Sequence, residues 1–537
     1  MREVKSNNDF KIPEPTLFDR AISYVDPIAA AKRMQARLFM AMSGGYYGGS
    51  RSKRRAIKEW ITSKGDADSD IIPDLGDLRT DSRDLIRTNP LAAGAIKTKT
   101  TSIGSLKLKS RIDREILGLS EEAADDWEHQ TESEFKLWSD STDCDVEDTL
   151  VFAHQQELCM RSTLESGDVF VLTPMIRSKR RTYSLQLQLI EADRVCNPHN
   201  ASDSDTLSGG IERAKYGGAP VYCHIVKGHP GNIYSKSNEW EKIRFRGARS
   251  GRRNVLHLFH KIRVGQSRGV PDLAPVIESL KQLSRYTEAE INAAVISAFF
   301  TVFVTSEYGG AEGMLKNFGV MQPKDDIGGK TSDKDFKMGS GAIVDLAKGE
   351  DVKFANPQRP NQVFDQFVLA ICRQVGVAIE LPFEILVKHF TASYSAARAA
   401  LLEAWKFYMG RRIWLAEGFC RPVYELWLTE AVLIGRIAAP GFLTGDPLIK
   451  SAWLGSEWIG SAKGAIDEQK EVGAARDRVE MGVSTLDEET IALTGGDWEK
   501  KHPQRAKEHK MRKEAGLIAE ERTPEDETVV QDNGEGE

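Results

Sequence analysis

Three stretches carry residue types and spacing that suggest chemistry. The first is GQSRG at 265–269. It fits G-x-S-x-G, the turn that lifts a serine hydroxyl above a parallel sheet so that a histidine, oriented by an acid, can activate it. It follows VLHLFH and precedes a long helical pattern, which is where such a turn belongs. The approach is wrong for it, however. LHLFHKIRV is broken by His257, His260, Lys261 and Arg263, whereas a buried parallel strand is a continuous apolar run. Downstream, Asp345 and His389 are the nominees for acid and base, and no spacing joins them. The second stretch is IGGKT at 327–331, an approach to G-x-x-x-x-G-K-[ST]. Lys324 stands where the first glycine is needed and no apolar strand leads in, so the cradle of backbone N–H groups is not specified. There is no HExxH, and neither the ten histidines nor the six cysteines fall at zinc spacing. No catalytic, cofactor-binding or metal-ligating set is predicted. The remaining enzyme reading is a serine hydrolase acting through Ser267.

The third stretch, Phe383 to Ser395, holds Lys388, His389, Thr391, Ser393 and Tyr394 between two helical patterns. A polar, cationic loop there can meet phosphate oxygens if it faces a nucleic acid. The alternative is a plain helix–helix connection.

Long helices position this loop. From Leu273 to Ala298, apolar residues recur every three or four positions (Val276, Leu280, Leu283, Ile291, Val295), which predicts one helix over 276–300, about 37 Å long. Phe364, Phe367, Val368, Ile371, Cys372, Val375 and Ile379 repeat the stripe, and Pro382 is predicted to end that second helix. Ala396 to Trp405 starts a third, which continues to Leu428 with a kink or stop near Arg421 imposed by Pro422. Upstream, Asp81–Ile96 reads as helical, with Asn89–Pro90 at a helix start. Glu121–Trp138 and Leu150–Ser166 also read as helices, the second stopped by Gly167. LKLKS (106–110), VFVL (169–172), YSLQLQLI (183–190) and VLHLFH (255–260) read as strands, and YGGAP (216–220) as the turn of a hairpin. In 183–190 the leucines should share one face and Gln186 and Gln188 the other. Residues 301–355 show VFV and VKFA as short strands among glycines. The segment from Lys500 to Lys513 is rich in lysine and arginine, and Glu520–Glu537 holds eight acidic residues and one basic, which reads as a disordered tail. GGYYGGSRSKRR (44–55) reads as a basic, aromatic-containing loop that is either a solvated linker or a segment able to contact nucleic acid, and 27–43 as helical.

At 537 residues, two to four lobes are expected. Hydrophobic residues make up 40% and charged residues 28%, a soluble folded composition. No run of about 18 apolar residues predicts a membrane span, and MREVKSNNDF has no apolar core of a signal peptide. The scattered cysteines read as reduced thiols. A net charge of −6 argues against a general DNA-coating protein.

The order of several segments resembles the lambda-type portal proteins of tailed bacteriophages. These segments are RTNPLAAGAI (87–96), QELCMRSTLESGDVFV (156–171), LQLIEADRV (187–195), GGIERAKYGGAPVYCHI (209–225), GQSRGVPDLAPVIESL (265–280), RPNQVFDQFV (359–368) and SYSAARAALLEAW (393–405). The resemblance implies a mainly helical α+β fold assembled as a ring. Its regions would be an N-terminal arm and helix (1–80), wing (81–262), first stem helix (263–300), clip (301–358), second stem helix (359–381) and tunnel loop (382–396). A long kinked helix (397–432), a crown-side segment (433–500) and a charged tail (501–537) would follow. It implies a structural protein, not an enzyme: twelve copies at one capsid vertex in the virion, assembled in the host cytoplasm. Double-stranded DNA would pass through without base readout, and the tunnel loop with Lys388, His389, Thr391, Ser393 and Tyr394 would face it. The implied partners are the terminase large subunit, the head–tail adaptor, the major capsid protein and any scaffold, with no membrane.

Overall fold

The computed structural model describes residues 65–232, 239–298, 302–306, 350–354, 364–390, 393–464 and 467–517. The chain divides into two compact units, 1–70 and 71–537. Of the first, the described part is the beginning of helix α1. The segments 27–43, 44–55 and 327–331, together with Asp345, lie outside the described residues.

The helices are α1 (Ala67–Thr88), α2 (Pro90–Ile103), α3 (Arg114–Leu117), α4 (Glu121–Ser139), α5 (Phe152–Ser166), α6 (Ile277–Ala298) and α7 (Phe364–Ala378). They continue as α8 (Phe383–Leu386), α9 (Tyr394–Leu415), α10 (Arg421–Leu433), α11 (Pro447–Trp453), α12 (Glu468–Glu480), α13 (Leu486–Thr494) and α14 (Trp498–Glu514). The strands are β1 (Lys107–Ser110), β2 (Asp168–Leu172), β3 (Gln188–Glu191), β4 (Leu207–Ser208), β5 (Ile211–Arg213) and β6 (Pro220–Val226). They end with β7 (Trp240–Arg244), β8 (Val255–Phe259), β9 (Val302–Ser306), β10 (Glu350–Phe354) and β11 (Ser456–Ile459). They pair as β1–β11, β3–β2–β8, β4–β5–β6–β7 and β9–β10, every pair antiparallel. The described fold is mainly helical with small antiparallel sheets, an α+β class.

The main core is aromatic. Phe135 of α4 has the rings of Trp427 at 5.1 Å, Trp138 at 5.6 Å, Phe152 at 5.8 Å, Tyr424 at 5.8 Å and Trp458 at 6.0 Å. Most of these contacts are edge-to-face, the arrangement that ring quadrupoles favour. They tie α4, α5, α10 and β11 together, and the Trp138 indole N–H donates to the Leu185 carbonyl at 2.9 Å. A second core of Phe170, Ile190, Val195, Ile211, Cys223, Ile225, Phe245 and Val255 joins the three-stranded and four-stranded sheets.

Several details differ from the reading of the sequence, each for a local reason. The helical stretch 81–96 belongs to two helices, the second beginning at the start read at Asn89–Pro90. Pro90 pushes Asn89 to an extended conformation (φ −103°, ψ 120°), and the Asn89 side-chain oxygen accepts from the Leu91 and Ala92 N–H groups to start α2. In 183–190 only the end is a regular strand, and Gln186 is buried beside the leucines. Its amide donates to the carbonyls of Asp143 and Asp145, which satisfies it away from water. Pro422 neither ends nor breaks the long helix. A π-helical turn at Ala416–Cys420 takes up the missing hydrogen bond, and α10 follows directly. The basic segment from Lys500 is helical in α14, started by Asp497, whose carboxylate accepts from the Glu499 and Lys500 N–H groups.

α6 and α7 meet through Tyr286, whose ring lies 5.5 Å from Phe364 and 5.1 Å from Phe367. α7 stops before Pro382 is reached. Glu380 takes a left-handed conformation (φ 57°), and the Leu381 N–H returns to the Gly376 carbonyl at 2.9 Å. A Cβ on Gly376 would sit 2.6 Å from the Leu381 oxygen. Alanine normally stabilises a helix interior over glycine by about 1 kcal/mol, but here the clash reverses the sign. Gly376→Ala should lower the urea unfolding midpoint, whereas Gly410→Ala in α9, with nothing within 4 Å of the added carbon, should raise it.

Candidate functional site

The GQSRG turn is built around its arginine, not its serine. Ser267 is 4% exposed and Arg268 2%. The Asp168 carboxylate, at the start of β2, accepts from Arg268 Nε (2.6 Å) and Nη2 (3.2 Å) and from Arg79 Nη2 (2.8 Å). It also accepts from His257 Nε2 (3.1 Å) and the Gly269 N–H (3.2 Å). Arg268 donates further to the carbonyls of Ala192, Val195 and Gly209 at 2.6–2.7 Å, and Arg79 to that of Ser166 at 2.9 Å. One carboxylate therefore fixes α1, the end of α5, β2, β8 and the turn that launches α6. Burial alone would push the Asp168 carboxyl up. The Arg268 and Arg79 guanidinium groups and the His257 hydrogen bond outweigh it and hold the carboxyl well below the usual range. Burial lowers Arg79 to about 10, still charged at neutral pH. Burial also lowers His257, despite the opposing pull of Asp168, so the ring is neutral. That ring stacks on Phe170 at 4.0 Å, which is how a histidine is accommodated in this strand.

The two glycines of the motif have separate uses. Gly265 adopts φ +85°. Gly269 lies against the backbone of Gly167, and a Cβ there would come within 1.9 Å of the Gly167 oxygen. β8 is antiparallel to β2, so the strand–turn–helix of a hydrolase elbow is not present at this serine. Beyond the turn, Asp272 pairs at 2.6 Å with Lys99, which is fully buried and lies over the Phe407 ring at 4.6 Å.

The loop after α7 is shaped by α8. Val387 N–H bonds the Phe383 carbonyl, His389 N–H bonds the Glu384 carbonyl at 3.1 Å, and Lys388 between them has φ +53°. That left-handed backbone is uncommon for a lysine. Lys388, His389 and Phe390 are exposed. Ser393 starts α9, its hydroxyl accepting from the Ala396 N–H. Tyr394 is the first residue of α9, and Thr391 lies outside the described residues. Lys388 and Phe390 line a cavity of about 490 Å³ together with Lys97 of α2, Arg398 and Trp405 of α9, and Lys463. Of the five residues singled out in the sequence, the structure therefore places Lys388 with a set of other cations. Lys97 and Lys463 are distant from the loop in the chain, and Arg398, ten residues after Lys388, stands in the helix that follows it. Asp168 carries a faint signal, an acid directly before an apolar strand in ESGDVFVL.

Among the described residues, Glu191, Asp193 and His229 bring possible ligand atoms within 4.8 Å of one another. Both carboxylates already bond Arg83, and Asp193 also bonds Arg79 at 3.4 Å, so their charge is neutralised by the protein itself.

The family model for lambda-family phage portal proteins matches residues 53–412, which include both α6–α7 and the Asp168 cluster. The chain belongs to the lambda family of phage portal proteins. It is 27% identical over 490 residues to portal protein B of Escherichia phage lambda, covering 88% of this chain and 91% of the relative. It is 25% identical over 501 residues to the portal protein of Escherichia phage N15, with the same coverage. A probable portal protein of Halomonas phage phiHAP-1 is 24% identical over 375 residues, covering 68% and 66%. Among solved structures, the neck of a native GTA particle computed with C12 symmetry overlaps at TM-score 0.39 and 14% identity, covering 77% of this chain and 93% of that one. Proteins of this family are structural components of the virion at the capsid vertex. No described helix is long and apolar enough to cross a membrane.

The cluster predicts two results. Asp168→Asn leaves two buried guanidinium groups short of their counter-charge, and removing one partner of such a set destabilises by about 3–5 kcal/mol. Chemical denaturation at pH 7 should show that loss. The fold favours neutral His257, so its contribution is complete above the ordinary value of 6.5 and fades as pH falls below it. The depressed Asp168 adds a second loss below its ordinary 3.8. The denaturation midpoint should fall between pH 7 and pH 5, and fall less in His257→Gln.

Proposed function

We propose that this chain is the subunit of a twelve-membered portal ring at one capsid vertex, and that double-stranded DNA passes through the ring during packaging and ejection. The match to the portal family across residues 53–412 carries this reading. The paired helices support it: α6, at 22 residues about 33 Å long, lies against α7, and a cationic loop follows α7 after the short helix α8. In this reading α6 and α7 are stem helices and residues 382–396 the tunnel loop, with Lys388, His389, Thr391, Ser393 and Tyr394 facing DNA. The wing is residues 81–262, the clip 301–358 around the β9–β10 pair, and the crown-side segment 433–500. A clip strand that pairs across subunits would hide its open edge within the closed ring.

Contacts to DNA are to the phosphate backbone, which position the duplex and carry no sequence information. The net charge of −6 keeps the ring as a whole from holding the duplex fast. The terminase large subunit, the head–tail adaptor and the major capsid protein dock on the ring, which assembles in the host cytoplasm. Translocation energy comes from the docked motor. Negative-stain images of the purified full chain should show annular particles, and the protein alone should hydrolyse no ATP. Protein that stays monomeric at high concentration, or an intrinsic ATPase, would contradict the reading. Retention of rings in Ser267→Ala without loss of any esterase activity separates it from the hydrolase alternative.

A further inference from the structure

The cavity beside the loop gathers four cationic side chains. Lys97, Lys388, Arg398 and Lys463 come from α2, the loop after α8, α9 and the segment before α12, and all are exposed. None of the four forms an ion pair with a described residue. By contrast, Lys99 pairs with Asp272 at 2.6 Å, Lys109 with Asp487 at 2.8 Å and Lys450 with Glu425 at 2.6 Å. Among the described residues, the one carboxylate in the lining is Glu471, so these residues carry a net charge of +3, four cations less one anion. Like charges gathered without counter-charges repel one another and destabilise the folded state unless an anion joins them. Arg398 and Lys463 also line a smaller adjoining cavity of about 190 Å³, where the further cations Arg478 and Lys470 are paired with Glu489 at 2.6 Å and Asp467 at 2.8 Å.

We propose that this cavity is a binding site for the phosphates of a nucleic-acid backbone, in which Lys97, Arg398 and Lys463 act with Lys388. The inference rests on the portal reading for the presence of DNA at this loop, and adds three residues from outside the loop. Two features favour a polyanion over a small compact ligand. The cations are spread over four elements, and they are lysines and one arginine held at the surface, where they attract charge at range. The acidic segment 520–537 of this same chain is the competing occupant by charge. Continuity of the cavity with Lys388 and Phe390 of the loop favours the duplex.

The test is anisotropy of a labelled, random 30-base-pair duplex titrated with the full chain between 50 and 200 mM NaCl. Each neutralised phosphate contributes about 0.9 to the slope of log affinity against log salt. Lys97→Ala, Arg398→Ala and Lys463→Ala should each reduce the slope by roughly that amount and weaken binding roughly tenfold at 0.1 M salt. Lys136→Ala, on the exposed face of α4, should match wild type. If Arg398→Ala impairs assembly, the two lysine variants carry the test. Assembly is read separately by negative stain. Failure of the wild type to form rings defeats the portal reading. Rings with wild-type slopes in all three variants overturn the cavity proposal alone. So does a wild type that binds no duplex at 50 mM salt. A synthetic peptide of residues 518–537 that binds wild type and not the variants, with duplex binding unchanged, assigns the cations to an acidic protein segment and overturns it as well.

Discussion

The buried carboxylate of Asp168 is the point on which the described structure depends. It accepts five hydrogen bonds from four residues, two of them arginines. A charge moved out of water is tolerated only when its partners fill every acceptor direction, as they do here. Arg268 spreads the constraint by reaching the carbonyls of Ala192, Val195 and Gly209. The direction in which α6 leaves the sheets is therefore set by a charge network and by the close approach of Gly269 to Gly167, not by apolar packing alone. Buried Lys99, paired with Asp272 and lying over Phe407, carries the same constraint across to α2 and α9.

This gives GQSRG a physical meaning that its pattern conceals. Serine, the residue a motif search would choose, is buried. The arginine and the second glycine carry the structure, one by charge and one by having no side chain. A short pattern reports residue types, and only the surrounding strand directions say which of them matters. Here β8 runs antiparallel to its neighbour, and the arrangement for lifting a nucleophile is not present at Ser267.

The long helices were legible in the sequence because burial on one face leaves a 3.6-residue stripe in a single continuous segment, as from Leu280 and Leu283 onward in α6. The hairpin of β5 and β6 was legible from its glycine turn. The Asp168 cluster was not, since Arg79 and His257 stand 89 positions away and Arg268 stands 100. Local rules do not reach that far. The end of α7 was legible to within a residue or so from its stripe, which stops at Ile379, but the device that closes it, the left-handed turn at Glu380, was not. Of the loop, its cationic character was legible; the company Lys388 keeps was not, because four separate elements form the cavity wall.

A net charge of −6 and a local cavity of net +3 coexist without conflict, since the first concerns the whole molecule and the second one surface. A rigid launch for α6, a partner helix packed through Tyr286 and a cationic loop at the end of that partner form one continuous piece of architecture. The most direct measurement of that arrangement is a cryo-EM reconstruction of the assembled particle. The account predicts that α6 and α7 of every copy stand side by side around a central opening, with Lys388 at its inner surface. Helices placed on the outer wall, or a compact particle without an opening, would contradict it.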